Sequence, residues 1–367
     1  MKLLVQPGDG VDRLIKGVNK ANKSVEIVIF RFDSSELERA LVDAVEKGVF
    51  VHALIAFTNR GGEETLRKLE QHFLAKGITV ARTAGDLVRY HGKMILIDRR
   101  ELYLLSFNFT HMDIDHSRSF GLITRNPKLT HEAGKLFDAD TKRQVYTPGN
   151  SKFVVSPANA RKELARFLKG AKQELLIYDP KISDRAMLRL LEDRKAAGVD
   201  IRVIGKVSSR KLQSREMAHL WLHTRTVIRD RKQAFMGSQS LRQLELDARR
   251  EIGVIFRDAT TIRSLVRLFE EDWAASRAQE SRKLPVRKTA RTLAKVVGKR
   301  IPAAPVVKQV IRAIRKKANV ELDPKEVEAT VESAVKEAVK NTINEATRQA
   351  VKAVHEEVEE LEKVDAD

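Results

Sequence analysis

A short segment whose side chains suit phosphoryl chemistry occurs twice in this sequence. The first copy reads His91-Gly92-Lys93-Met94-Ile95-Leu96-Ile97-Asp98, and the second reads His223-Thr224-Arg225-Thr226-Val227-Ile228-Arg229-Asp230. Residues two apart in an extended strand share a face, so the His91 imidazole stands beside the Lys93 ammonium. Arg99-Arg100 then turns the chain, and Glu101–Leu105 reads as a returning strand ending at Ser106-Phe107-Asn108, where Ser106 and Asn108 again share a face. The second copy supplies His223, Arg225, Ser238 and Ser240 at the same spacings. An imidazole can attack phosphorus, while a cation and small hydrogen-bonding groups stabilise the equatorial oxygens. Two such half-sites facing each other provide one nucleophile and one general acid, the minimal set for two-step displacement at a phosphodiester. Asp98 and Asp230 each sit at a strand end before a turn, where aspartate bonds backbone N–H groups, and are read as structural supports. The matched positions gather no cluster of carboxylates or cysteines for a catalytic metal, so neither a metal nor a cofactor is expected.

The elements that must position these groups are duplicated as well. Ser24–Phe30 reads as an apolar strand, Ser34–Lys47 as a capped helix closed by Gly48, and Val49–Ile55 as a second strand. The same order returns as Gln173–Tyr178, Asp184–Ala197, Gly198 and Val199–Ile204, which makes two βαβ units with their glycines 150 residues apart. From the histidines onward the offset is 132 residues: His91 with His223, Ser106 with Ser238, Gly121 with Gly253. The difference is an insert in the first copy around Thr58–Asp86, which holds a helical stretch from Glu63 to Lys76. A repeat of this length means duplicated domains. The expected organisation is a first half over 1–146, a linker at Thr147-Pro148-Gly149-Asn150, a second half over 151–275, a basic segment over 276–323 with short amphipathic patterns at 288–300 and 306–318, and an amphipathic helix over 324–362.

Composition narrows the partners. The chain has 367 residues, 32% of them charged, a formal net charge of +19 and no cysteine, which excludes disulfides and thiolate chemistry. Residues 281–320 hold 13 Lys/Arg and no Asp/Glu, residues 321–367 hold 6 basic and 14 acidic residues, and residues 1–280 keep a net +14. The excess favours anionic partners. An anionic membrane surface or nucleic acid is allowed at 281–320, and self-association at 324–361. No run reaches the roughly 18 apolar residues of a membrane span. Pro7 and Gly8 interrupt the N-terminal apolar run before a signal-peptide core is complete. A cytoplasmic protein, at most peripheral to a membrane, is the expectation.

The pattern His-x-Lys-x4-Asp-x6-Gly-Ser-x-Asn, present twice, resembles the signature of the phospholipase D superfamily, over roughly residues 10–275. His91, Lys93, Asp98, Ser106 and Asn108 match the first signature, with Leu105 at its glycine position. His223, Asp230, Gly237 and Ser238 match the second, with Arg225 at the lysine and Ser240 at the asparagine position. The resemblance implies an α/β fold of two homologous halves, mixed sheets flanked by helices and related by a pseudo-two-fold through one active site, with a C-terminal basic and helical extension. It implies a phosphohistidine intermediate without a metal. It also implies that Glu251, in Glu251-Ile252-Gly253, orients the histidine of the opposite half, His91. The equivalent place after His91 reads Ser119-Phe120-Gly121, so His223 lacks that glutamate unless Asp113 or Asp115 substitutes. The asymmetry points to His91 as nucleophile and His223 as acid, with Ser106, Asn108, Ser238 and Ser240 binding phosphate beside Lys93 and Arg225. His52, His111, His116 and His219 have no matched partner and are read as non-catalytic, and Trp221 as a packing residue. Three readings of function stay open: phosphodiester hydrolysis or phosphatidyl transfer on phospholipid, a nuclease, and a non-catalytic phosphate-binding module.

Overall fold

The structure, a computed structural model, describes residues 1–59 and 62–278. The basic segment and the helix expected over 324–362 lie outside the described residues, apart from Ser276–Ala278. The first half opens with β1 (Lys2–Gln6), α1 (Asp12–Val18), β2 (Ser24–Ile29), α2 (Ser35–Glu46) and β3 (Phe50–Ile55). It continues through α3 (Glu64–Ala75), β4 (Thr79–Arg82), β5 (Arg89–Tyr90), β6 (Met94–Ile97) and β7 (Glu101–Leu105), and closes with α4 (His111–His116), β8 (Ser117–Thr124) and α5 (Pro127–Thr141). The second half repeats the plan with β9 (Phe153–Val155), α6 (Ala160–Lys169), β10 (Glu174–Ile182), α7 (Arg185–Ala196), β11 (Asp200–Val207) and β12 (Gln213–Glu216). Then come β13 (Trp221–Leu222), β14 (Arg225–Arg229), β15 (Gln233–Gly237), α8 (Gln243–Asp247), β16 (Arg249–Arg250), β17 (Ile252–Phe256), α9 (Ala259–Ala275) and β18 (Arg277–Ala278).

Local chemistry explains these boundaries. The Ser34 hydroxyl accepts from Leu37 N at the start of α2, and the Asp184 carboxylate accepts from Ala186 N and Met187 N at the start of α7. Gly48 and Gly198 follow the two helices with φ of 80° and 87°, a left-handed conformation that glycine adopts without a Cβ penalty. The β6–β7 and β14–β15 hairpins turn at Asp98-Arg99 and Asp230-Arg231, all four with φ near 50°. The Asp98 carboxylate accepts from the backbone N–H groups of Asn22, Lys23 and Ser24, and Asp230 from those of Lys172, Gln173 and Glu174. Each aspartate thus ties its hairpin turn to the start of the neighbouring strand, β2 or β10.

The strands make two mixed sheets, ordered β1-β8-β7-β6-β2-β3-β4 and β18-β12-β11-β10-β14-β15-β17-β9. β2–β3 and β10–β11 pair in parallel, as βαβ units must, while β2–β6 and β10–β14 are antiparallel. Each half has its own apolar cluster, around Leu41, Ile27 and Phe107 in the first and Leu191, Ile177 and Phe235 in the second. A third cluster belongs to both, joining Leu104, Phe120 and Leu136 to Tyr178, Met236 and Phe269. Its aromatic spine runs Phe120–Tyr178–Phe269–Trp273 with ring centroids 5.4, 5.0 and 5.8 Å apart. The described residues are accordingly one compact body.

Two-residue strands stitch the halves together at one end of the sheets. β13 pairs in parallel with the start of β8, and β5 pairs in parallel with β16. These two pairings are equivalents under the 132-residue offset.

Candidate active site

The sequence reading puts His91 and Lys93 on one strand face, but the local arrangement differs. β5 ends at Tyr90 and β6 begins at Met94, so residues 91–93 lie between strands. The His91 amide donates to Arg250 O of the second half at 2.8 Å, and the His223 amide donates to Arg118 O of the first at 3.1 Å. The main chain of each half therefore holds the histidine of the other.

His91 is fully buried. Its Nδ1 lies 2.9 Å from Glu251 Oε2, and its Nε2 lies 2.6 Å from Lys93 Nζ. The Phe30 ring meets the imidazole edge-on at 4.7 Å, with Lys93 Nζ 5.6 Å from the same ring. An ammonium at Nε2 donates to that nitrogen, which leaves the ring proton on Nδ1, shared with Glu251. Nε2 then carries the lone pair. Burial, followed by the charges of Lys93, Arg225, Arg249 and His223, holds the His91 imidazole well below its ordinary pKa. Burial and the neighbouring Glu245 push Glu251 up to about 8, against the pull of Lys93 and Arg249. The proximity of His223 and Arg225 to His91 shows that both copies of the motif meet in one site.

His223 is equally buried, and its Nδ1 lies 3.5 Å from Asp113 Oδ2. Asp113 therefore stands where the first half lacks a glutamate. Asp115 does not: it is half exposed and pairs with His111. Asp113 also accepts from Asn108 N at 2.6 Å, and burial holds its carboxyl above the usual range. The second half contains the matching contact, Ser240 N to Glu245 Oε2 at 2.6 Å. Arg225 reaches His223 O at 2.5 Å and Ser240 Oγ at 3.3 Å. Lys93 thus faces the His91 imidazole, Arg225 lies against the His223 carbonyl and Ser240, and the main-chain N–H groups of Asn108 and Ser240 hold the carboxylates of Asp113 and Glu245.

Ser106 and Ser238 are placed differently from the phosphate-binding role expected of them. The Ser106 hydroxyl donates to Phe120 O at 2.8 Å and accepts from Phe120 N at 3.0 Å. Ser238 does the same with Ile252, at 3.4 and 3.1 Å. A hydroxyl has one proton, and that of Ser106 goes to a carbonyl, while the Ser238 hydroxyl also bonds the Glu251 carboxylate. The two serines pin the strands that follow Ser119 and Glu251.

Three residues of the site were not anticipated. Glu245 could have been found, since it lies 132 residues after Asp113. Arg249, whose guanidinium lies 3.6 Å from Glu245 and 3.9 Å from Glu251, falls opposite Ser117 in the repeat and so leaves no match to notice. Phe30 reads as one more apolar strand residue. Trp221 contacts His223, with ring centroids 5.7 Å apart.

Comparison with known proteins gives a consistent set. A family model described as a cardiolipin synthase, PLD-like domain, matches residues 14–141 and 164–273. A polyphosphate kinase of Vibrio cholerae serotype O1 is 26% identical over 198 residues, covering 49% of this chain and 28% of the kinase. A mitochondrial cardiolipin hydrolase of Danio rerio is 30% identical over 135 residues, covering 35% of this chain and 56% of the hydrolase. The chain therefore spans less than two thirds of either relative. The solved phosphatidylserine synthase of Haemophilus influenzae superposes with a TM-score of 0.61 over 80% of this chain and 92% of its own, at 9% identity, which is a likeness of fold.

Proposed function

The chain belongs to the phospholipase D superfamily, and we propose that it is a phosphodiesterase or phosphatidyltransferase acting through a phosphohistidine on His91. The observation that carries this reading is the His91 environment: Nδ1 bonded to Glu251 and Nε2 facing Lys93. An incoming phosphodiester draws Lys93 onto a phosphoryl oxygen and uncovers the Nε2 lone pair for attack. As the imidazole becomes cationic, Glu251 takes up the Nδ1 proton's charge. His223, aligned by Asp113, donates a proton to the leaving alcohol, then removes one from the water or alcohol that cleaves the P–N bond. Lys93 and Arg225, with Asn108 and Ser240, offset the charge on the equatorial oxygens.

A phospholipid is the first-choice substrate. Val88, three residues before His91, and Met112, beside Asp113, are each more than half exposed. Apolar side chains flanking both half-sites suit a substrate presented at a lipid surface. The names of the hydrolase and synthase relatives agree with this choice. Among the described residues, no helix is long and apolar enough to cross a membrane.

Acid quench during turnover of labelled phospholipid in EDTA should trap an acid-labile phosphoenzyme in the wild type and none in His91→Ala. Trapping that survives in His91→Ala but vanishes in His223→Ala would reverse the two roles. Turnover that stops in EDTA and returns with a divalent ion would sink the mechanism. Cleavage of nucleic acid in preference to lipid in the same buffer would move the nuclease reading to first place.

A further inference from the structure

The end of the molecule away from the histidines carries a feature that the reaction does not use. β6, β8, β14 and β17 all start beside the catalytic groups and run to the opposite pole, where they are followed by Asp98, Arg125, Asp230 and Arg257. Three depressions of about 480, 670 and 380 Å³ adjoin there. The middle one shares Arg125 with the first and Arg257 and Gln233 with the third. Arg125 and Arg257 are 132 residues apart, so the groove straddles the pseudo-two-fold. Lys172, Arg229 and Lys232 line one arm, and Arg99, Arg100 and Lys135 the other.

We propose that this distal groove binds the phosphate backbone of nucleic acid, through Arg100, Lys128, Lys152, Lys172, Lys232 and Arg257. All six side chains are exposed, and none is paired with a carboxylate of the described residues. The acids in the groove are already engaged. Asp138 is held by Arg99, Asp230 by three backbone N–H groups, and Asp258 by the N-terminal ammonium and Thr261. α5 and α9, of 15 and 17 residues, both start at the middle depression and add their positive ends to the six cations.

Extent and charge select the partner. The three depressions run on from one another across both halves, from Lys172 just before β10 to Arg100 after β6. Cations spread along adjoining depressions suit a chain of phosphates and are far more than a single phosphate needs. A bilayer is a poorer fit. Of the six large hydrophobics exposed among the described residues, only Met1 lines the groove, whereas basic faces that bind membranes also bury apolar side chains. A bilayer at this pole would also sit about 20 Å, the length of the strands, from the histidines. The proposal does not depend on the reading of the active site.

The test uses the full chain, a fluorescent DNA duplex of mixed sequence, and acetylation of lysines read by mass spectrometry. Saturating duplex should protect Lys128, Lys152, Lys172 and Lys232. The variant Arg100→Glu/Lys152→Glu/Lys232→Glu/Arg257→Glu should bind about tenfold more weakly or worse, with its salt dependence reduced by about three to four units in log–log slope. The variant His91→Ala/His223→Ala should bind as the wild type does. An unchanged melting temperature would show that the fourfold variant is folded. Duplex binding that leaves these lysines reactive, with affinity and salt slope unchanged in the fourfold variant, would overturn the proposal. That result would place the contact elsewhere, the cations of 281–320 included. Stronger protection of the same lysines by anionic vesicles or by inorganic polyphosphate at matched phosphate would also overturn it.

Discussion

Arg249 shows how the two half-sites differ and yet stay balanced. In the first half one carboxylate, Asp113, faces His223, with Ser117 and Ser119 hydrogen-bonded to each other at 2.5 Å. In the second half two carboxylates, Glu245 and Glu251, stand close together, and Arg249 replaces Ser117 between them. Arg249 thus offsets the extra acid of the second half. Without Arg249, two buried carboxylates would oppose each other's ionisation. Ionised Glu251 only accepts, so it fixes the His91 proton on Nδ1 and keeps Nε2 bare, whereas protonated Glu251 can donate to Nδ1 instead. Burial raises Glu251 to about 8, so protonation below that pH removes the competent form, and activity is lost as pH falls. For a soluble diester, kcat/KM should rise with pH through an apparent value near 8 that belongs to the Glu251–His91 pair. Glu251→Gln should lower kcat on the order of 10²-fold or more and abolish that limb. A limb that persists in Glu251→Gln would assign the titration to another group. Arg225→Ala should likewise cost on the order of 10²-fold, with much of the activity kept in Arg225→Lys, because lysine stands at the matching position, Lys93, of the other half. Unchanged kinetics in Arg225→Ala would confine the second half's contribution to His223.

At the scale of elements, the departure at Leu105 has a packing cause. In the second half Gly237 pairs with Gly253, and a Cβ on Gly237 would come within 2.7 Å of the Gly253 Cα. In the first half Leu105 pairs with Gly121, and a Cβ on Gly121 would meet the Leu105 side chain at 2.7 Å. One copy fills the space with Leu105, the other with the Gln239 side chain, so the motif glycine is needed only where Gln239 occupies that space. Gly237→Ala and Gly121→Ala should each destabilise by about 1–3 kcal/mol, measurable by urea unfolding, and wild-type stability in both would refute this packing account. The strands and helices of the duplicated βαβ units could be read from their alternation, caps and closing glycines, because those signals are local. β5, β13 and β16 could not, because two residues carry no periodicity. α4 and α8 could not either, being too short for a helical stripe. The residues missed in the site, Glu245 and Arg249, sit on or beside these short elements. The strand-pinning bonds of Ser106 and Ser238 were not legible for a related reason. Their hydroxyls answer to strands that lie next to them only in the folded chain.

At the scale of the molecule, the apolar cluster shared by the halves outweighs the linker that separates them in sequence. Tyr178 OH donates to Asp272, which also pairs with Arg118 of the first half at 2.9 Å, beneath the aromatic spine. Separate unfolding of 1–146 and 151–275 would expose that surface and orphan those buried polar groups. Unfolding followed by tryptophan fluorescence, which reports Trp221 and Trp273 of the second half, should therefore coincide with loss of amide protection in β2 and β6 of the first. Two resolved transitions would show that the halves are thermodynamically independent. The reciprocal grip on the histidines, His91 by Arg250 O and His223 by Arg118 O, has a further consequence for inheritance. Two identical copies of one half could exchange the same contacts, but every substitution would then appear twice, and both histidines would have the same surroundings. Joining the copies in one chain lifts that restriction. Position 119 can drift to serine while position 251 stays glutamate, and attack and proton donation can be refined by separate mutations.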